Sequence, residues 1–310
     1  LAVLRFGAVA LFCTFDFCMT IALYARPVKD NHADYVKTLS TRLDKENIKL
    51  TVHSVFYAYL KKEYGFNLDI TTFTTHADLQ AQKADYLISL GGDGTMLETV
   101  DLVRDSGIPV LGVNTGRLGF LASVYKEDYT AAITKLITKN FTLDSRTLLQ
   151  LESPNNLFEL NAALNECTLV KKDSSSMMSI DVDVNGVFLN SYWADGLIIS
   201  TPTGSTAYSL SCGGPLMVPS SESFILTPIA PHNLNVRPIV ISSDSTLTLR
   251  VRGRDKQNII SLDSRMATLQ TDEQVILKKA PYKLNLINLD GQHFFNTLRN
   301  KLMWGLDKRN

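Results

Sequence analysis

Residues 84–104 read ADYLISLGGDGTMLETVDLVR, and this stretch decides the fold. Ala84 to Leu90 is a short, nearly continuous apolar run of strand length that ends in glycines, as a strand buried on both faces does. Met96 to Arg104 has helical character, with Gly107 near its end and Pro109 beyond it. A strand, a glycine turn and a helix in direct succession form the unit from which parallel α/β sheets are built.

The same alternation extends outward in both directions. Upstream, Thr20-Ile21-Ala22-Leu23-Tyr24 reads as a strand, followed by a loop at Pro27 to Asn31. A helix follows whose apolar Tyr35, Val36, Leu39 and Leu43 recur at helical spacing, and a second helical stretch spans Ser54 to Tyr64. Downstream, Pro109-Val110-Leu111-Gly112-Val113 supplies the next strand. Strands and helices thus alternate to about residue 140, which predicts a doubly wound, Rossmann-like parallel sheet.

After Arg146 the texture changes to short strands with turns between them. The candidates are Leu148–Leu151, Phe158–Ala163, Cys167–Val170, Ser179–Val184, Val187–Leu189, Gly196–Ser200, Thr246–Val251, Ile259–Leu262 and Glu273–Leu277. The expected division is therefore an α/β domain over 19–146 and a mainly-β domain over 147–290. The helical tail Phe294 to Trp304 is expected to pack back, within 291–310, onto the first domain.

Composition narrows the function. With 310 residues and 45% apolar content the chain can fill two cores. Lys+Arg and Asp+Glu both number 31, so the general basic field that sequence-independent nucleic-acid binding needs is missing. Cys13, Cys18, Cys167 and Cys212 form no paired short-spacing motif and have no histidines at zinc-ligand spacing, so they read as reduced thiols of a cytoplasmic protein. Leu1 to Cys18 is apolar apart from Arg5 and Asp16. It is too short and broken for a membrane span and shows no small-residue cleavage site, so residues 1–18 are expected to be an extension before a start at Met19.

Gly91-Gly92-Asp93-Gly94-Thr95 lies between the buried strand and its helix. There the glycines let a backbone approach phosphate and the helix N-terminus favours negative charge. No Lys-Ser/Thr pair follows, so it is not a P-loop, and it lacks the dinucleotide fingerprint spacing. Asp93 in a phosphate turn would hold a divalent cation or accept a proton from an attacking hydroxyl; the alternative is a turn aspartate that satisfies backbone amides. Asn114-Thr115-Gly116-Arg117-Leu118-Gly119-Phe120-Leu121 follows the next strand and so lies at the same sheet end, with Phe120 lining either the pocket or the core.

Two more segments carry candidate chemistry. Asn165-Glu166, just before a strand, offers an amide and a carboxylate to sugar hydroxyls or a base edge. The run from Asp195 to Pro215, DGLIISTPTGSTAYSLSCGGP, is dense in hydroxyls and glycines and carries Tyr208, which could pack beside a flat base; otherwise it is a turn region with a core tyrosine. The five histidines are scattered and are assigned no chemistry.

Taken in order, the Gly91–Thr95 turn, the Asn114–Leu121 segment, Asn165-Glu166 and the Asp195–Pro215 block resemble the NAD kinase family over roughly residues 19 to 305. The glycine-aspartate turn alone is shared with lipid kinases and phosphofructokinases; the Asp195–Pro215 block discriminates among them. The resemblance implies transfer of the γ-phosphoryl group of ATP to the adenosine-ribose 2′-hydroxyl of NAD, giving NADP. A divalent cation, normally magnesium, would assist, and the assembly would be a homodimer or homotetramer. Asp93 would be the proton acceptor, Gly94 would lie against the nucleotide, and Asn165, Glu166 and Asp195 would grip NAD. Thr206, Ala207, Tyr208, Ser209, Leu210 and Ser211 would line its site, and Ser176, Trp193, Ala230 and Arg265 would fall at more variable contact positions. Trp193 stands where the family often has a basic residue, and Asp263-Ser264-Arg265 replaces a frequent Asp-Gly-Gln.

Overall fold

The computed structural model describes residues 19–28, 32–116, 119–122, 124–172, 178–253, 256–289 and 293–303. The first half runs β1 (Thr20–Ala25), α1 (His32–Lys45), β2 (Lys49–His53), α2 (Ser54–Tyr64), β3 (Thr71–Phe73), α3 (His76–Ala81), β4 (Tyr86–Leu90), α4 (Asp93–Val103), β5 (Val110–Asn114), β6 (Val124–Tyr125) and α5 (Tyr129–Ile137). Its strands are parallel in the order β3-β2-β1-β4-β5.

Strand residues alternate between two cores, as the period of two requires. Ile21, Leu23 and Ile88 join Val36, Leu39 and Leu43 of α1, Phe56 and Leu60 of α2 and Ile133 of α5 on one face. Ala22 and Leu87 face Leu79 of α3 and Met96, Val100 and Val103 of α4 on the other. Helices on both faces confirm the doubly wound expectation. The strand order reverses between β1 and β4, and the crevice at their carboxyl ends is where such sheets take ligands.

The second half runs β7 (Thr142–Ser153), β8 (Ala162–Ala163), β9 (Glu166–Lys171), β10 (Met178–Val184), β11 (Val187–Ala194), β12 (Gly196–Ser200), α6 (Tyr208–Ser211), β13 (Ser223–Ile229), β14 (Ile239–Ser242), β15 (Leu247–Arg252), β16 (Gln257–Leu262), β17 (Arg265–Gln270) and β18 (Gln274–Asn288), then α7 (Phe294–Leu302). One antiparallel sheet has the order β14-β13-β12-β9-β16-β17. It packs through Leu169, Leu197, Phe224 and Ile260 against Ile180, Leu249 and Leu277 of the strands β10, β15 and β18.

The two halves share one large sheet. β18 pairs antiparallel with β15 and β7, and its Leu286 meets Val110 of β5 in parallel register. The change of texture at residue 146 therefore falls inside β7, a strand of twelve residues. At the other end of β18, α7 returns to the first half, with the Phe294 ring 6.4 Å from that of Phe120.

Candidate active site

The turn after β4 is shaped by what its glycines leave out. Gly91 has φ +150°, and a Cβ there would come 2.3 Å from the Thr95 hydroxyl, so only glycine fits. The chain then enters α4 with Gly92 as N-cap and Asp93 in the first turn, where a carboxylate complements the helix dipole.

Asp93 does not project freely. Its Oδ2 accepts the amide of Phe120 at 2.7 Å, and its Oδ1 accepts those of Leu121 and Ala122 at 3.0 and 3.1 Å. The approach is possible because a Cβ on Gly119 would lie 1.7 Å from Oδ1. Asp93 thus clasps the loop after β5 to the loop after β4, which is the turn-aspartate role. Of roughly four lone-pair positions on a carboxylate, these bonds use three, leaving one on Oδ2 for a substrate hydroxyl.

A second cluster forms where β9 begins. Asn165 and Glu166 are buried, and Asp263, in a left-handed turn at φ 52° between β16 and β17, accepts the amides of Leu164, Asn165 and Glu166 at 2.8, 2.7 and 3.1 Å. Among the described residues Glu166 Oε2 is buried with no hydrogen-bond partner. Burial, helped by the neighbouring Asp263 charge, raises its pKa from the usual carboxylate 4.5 to about 8. An unsatisfied, proton-holding carboxyl is suited to a ligand hydroxyl or base edge. Asp263, given no role from sequence beyond its place in Asp263-Ser264-Arg265, is the element that fixes this segment.

Beside Asp263 a cleft of about 330 Å³ separates the two halves, lined by Tyr24, Glu98 and Asp101 on one side and by Asp263, Ser264 and Arg265 on the other. Arg265 is spent on architecture: it donates to the carbonyls of Leu160 and Ala162 and lies 4.0 Å from Asp263. Phe120 stacks at an angle on Phe294, with the Lys301 ammonium 5.4 Å from its centroid, so it lies under α7.

The hydroxyl-rich segment follows β12, whose last residue Ser200 pairs with Glu166. Its hydroxyls are largely turned inward. Thr201 donates to Leu164 O at 2.6 Å, Ser205 to Pro202 O at 2.7 Å and Thr206 to Thr203 O at 3.1 Å, while Ser209 bonds to Thr227 at 2.8 Å. Buried Arg146 donates to Thr203 at 3.2 Å and to Asp144 at 2.7 Å, tying the segment to β7. What the segment offers outward is Tyr208, 44% exposed, with Ser211 exposed beside it and Ala207 and Leu210 half-buried.

Trp193, Asp195 and Ala230 lie elsewhere. Trp193 lies at the end of β11, Asp195 directly precedes β12 and Ala230 directly follows β13, which places them at the start of β12, whereas Glu166 sits beside its end. Five residues at about 3.3 Å each place the groups roughly 16 Å apart. There Asp195 pairs with Lys171 at 2.6 Å, and Trp193 packs its ring 5.3 Å from His232. Ser176 lies outside the described residues.

With this geometry in view, comparison with known proteins is decisive. The model of the ATP-NAD kinase N-terminal domain matches residues 21–141, and that of the C-terminal domain matches 164–289. The chain belongs to the NAD kinase family. NAD kinases of Flavobacterium psychrophilum and Bacteroides fragilis are 44% and 40% identical, over 94% of this chain and 100% of theirs. A yeast NADH kinase crystallised with NADH superposes with TM-score 0.83 at 21% identity, covering 93% of this chain and 88% of its own. An Archaeoglobus fulgidus NAD kinase in complex with ATP gives 0.71 at 24% identity, covering 92% and 99%. At those identities the two structures establish the fold. Among the described residues no helix is long and apolar enough to cross a membrane.

Proposed function

We propose that this chain phosphorylates NAD on its adenosine-ribose 2′-hydroxyl with ATP as donor, releasing NADP and ADP. The observation that carries the reading is Asp93, fixed by three backbone amides with one carboxylate position open, at the switch point of a chain 40–45% identical to NAD kinases over nearly its whole length. The reaction in this reading is in-line transfer: the 2′-oxygen forms a bond to the γ-phosphorus as the bond to the β,γ-bridging oxygen breaks, and the hydroxyl proton passes to Asp93 Oδ2. Asn165, Glu166 and Tyr208 hold the acceptor, and the backbone of Gly91–Thr95 faces the donor phosphates.

Among the described residues no group of three His, Cys, Asp or Glu could cage a metal. A divalent cation, normally magnesium, would come bound to the ATP phosphates, with the Gly91–Thr95 turn beneath them. It would supply positive charge against the charge developing on the γ-phosphoryl group.

The 16 Å separation of Trp193, Asp195 and Ala230 from Glu166 supports assembly into a homodimer or homotetramer, in which this second group serves a neighbouring copy's pocket. Exposed Leu234 near this group, and exposed Val187 and Phe188 at the other end of the edge strand β11, would be covered by that contact. We place the enzyme in the cytoplasm, with the working division near residue 146 and α7 belonging to the first half. Incubation with NAD, ATP and magnesium, read through an NADP-specific dehydrogenase, tests the reading. NADP should accumulate; a folded protein that binds NAD and forms none would instead be a silent NAD-binding protein.

A further inference from the structure

The phosphate turn has no cation of its own. From Ala84 to Val103 the chain holds no Lys or Arg, and Arg104, at the far end of α4, is committed to Asp101 and Glu159. A turn that already carries Asp93 needs positive charge nearby to receive two or three phosphates.

One cation reaches it from the neighbouring strand. Ala25, the last residue of β1, is in register with Leu90, the last of β4, so Arg26 stands beside Gly91 across the switch point. Its Nε and Nη2 donate to the two oxygens of Glu98, both at 2.7 Å, and Nη2 also donates to Gly94 O at 3.2 Å. Glu98 is held in turn by the Tyr24 hydroxyl at 2.6 Å. Among the described residues Nη1 is left without a hydrogen-bond partner, and it lies 3.5 Å from where a Cβ on Gly94 would be.

Stability does not explain this arrangement. Arg26 and Glu98 are 44% and 34% exposed, and pairs of that kind contribute about 0–1 kcal/mol. A carboxylate that takes one edge of a guanidinium instead orients the other, and a planar fork of fixed direction is suited to phosphate oxygens. We propose that Arg26 is a binding residue for the donor phosphates, presenting Nη1 to the β- and γ-phosphoryl oxygens of ATP over the Gly91–Thr95 turn. This rests on the kinase reading above, in which the donor lies at that turn.

The test uses Arg26→Ala and Arg26→Lys in the full chain, with inorganic tripolyphosphate as a probe that carries the phosphates without the nucleoside. Arg26→Ala should raise KM for ATP and the inhibition constant of tripolyphosphate roughly ten- to a hundredfold, the worth of one charge-assisted contact. KM for NAD should stay within about twofold, a split that a merely structural role would not produce. Arg26→Lys should recover part of the loss. Values for ATP and tripolyphosphate within twofold of the parent, or a KM for NAD that rises equally, would overturn the assignment. Calorimetry of tripolyphosphate binding needs no turnover, so Arg26 is tested even if the parent makes no NADP; equal affinity of parent and Arg26→Ala, or no binding to the parent, would refute it.

Discussion

Replacing Asp93 by Asn tests the two roles that the structure gives its carboxylate. As a clasp it accepts three amides, from Phe120, Leu121 and Ala122. Asparagine can keep its oxygen toward Leu121 and Ala122 but then points an amide N–H at the Phe120 N–H. One charge-assisted bond, worth about 1.5–3 kcal/mol, is lost, and two others fall to neutral strength at about 1 kcal/mol less each. Allowing for water reaching this partly exposed loop, the variant should lose about 2–4 kcal/mol of unfolding free energy, read by urea titration. As proton acceptor, Asp93 should in addition contribute at least about 10²-fold to turnover. Leu60→Ala separates the effects, because it removes a comparable amount of stability from the core under α2 and leaves the carboxylate in place. With all proteins assayed well below their unfolding midpoints, Asp93→Asn should fall at least about 10²-fold below Leu60→Ala in kcat. Equal kcat values would reduce Asp93 to a clasp, and unchanged urea stability would refute the three-amide geometry.

Further expectations follow from the same contacts. Glu166 binds its proton more tightly folded than unfolded, since burial raises its pKa from 4.5 to about 8; it therefore stabilises the fold least at high pH, and stability from this group falls as pH rises through that window. Glu166→Gln should flatten the slope of stability against pH between pH 5 and 8 by up to about 1.4 kcal/mol per unit; an unaltered slope would mean that the carboxyl is not held protonated. Phe188→Asp, on a side chain 62% exposed at the edge strand β11, should shift the molecular mass by light scattering toward the monomer and lower NADP formation with it. Leu60→Ala, in the fully buried face of α2, should cost about 2–5 kcal/mol in urea while leaving KM values unchanged in the folded fraction.

The stretch 84–104 made the first half legible because a buried parallel strand is apolar without interruption, and its glycine turn marks where the helix starts. The sequence candidate Glu273–Leu277 covers only the first four of the fifteen residues of β18. Lys278, Lys279 and Pro281 break the apolar alternation, and the register against β7 shifts between Lys279 and Lys283, so the strand that joins the two halves leaves no regular pattern. β13 and β14 went unread because β13 is buried almost throughout and contains Pro228, while β14 is only four residues long.

Within the site, Asp93 and Glu166 could be singled out by residue type, but their settings could not. Backbone amides such as those of residues 120–122 carry no sequence signature. The hydroxyls of Thr201, Ser205 and Ser209 look alike whether they face a ligand or a carbonyl; here they face inward. Arg26 falls between the predicted strand Thr20 to Tyr24 and the loop at Pro27 with nothing in the sequence to mark it, until the parallel pairing of β1 with β4 sets it beside Gly91. That register was its only signal.

The most direct measurement follows the transferred group. ATP labelled with oxygen-18 on the non-bridging γ-oxygens is turned over with NAD and magnesium, and the dinucleotide product is examined by mass spectrometry and phosphorus NMR. The account predicts NADP carrying all the labelled non-bridging oxygens on a phosphate at the adenosine-ribose 2′ position, with the ribose oxygen unlabelled. A labelled phosphate at any other position, or NAD recovered unchanged by a folded protein that binds both substrates, would contradict it.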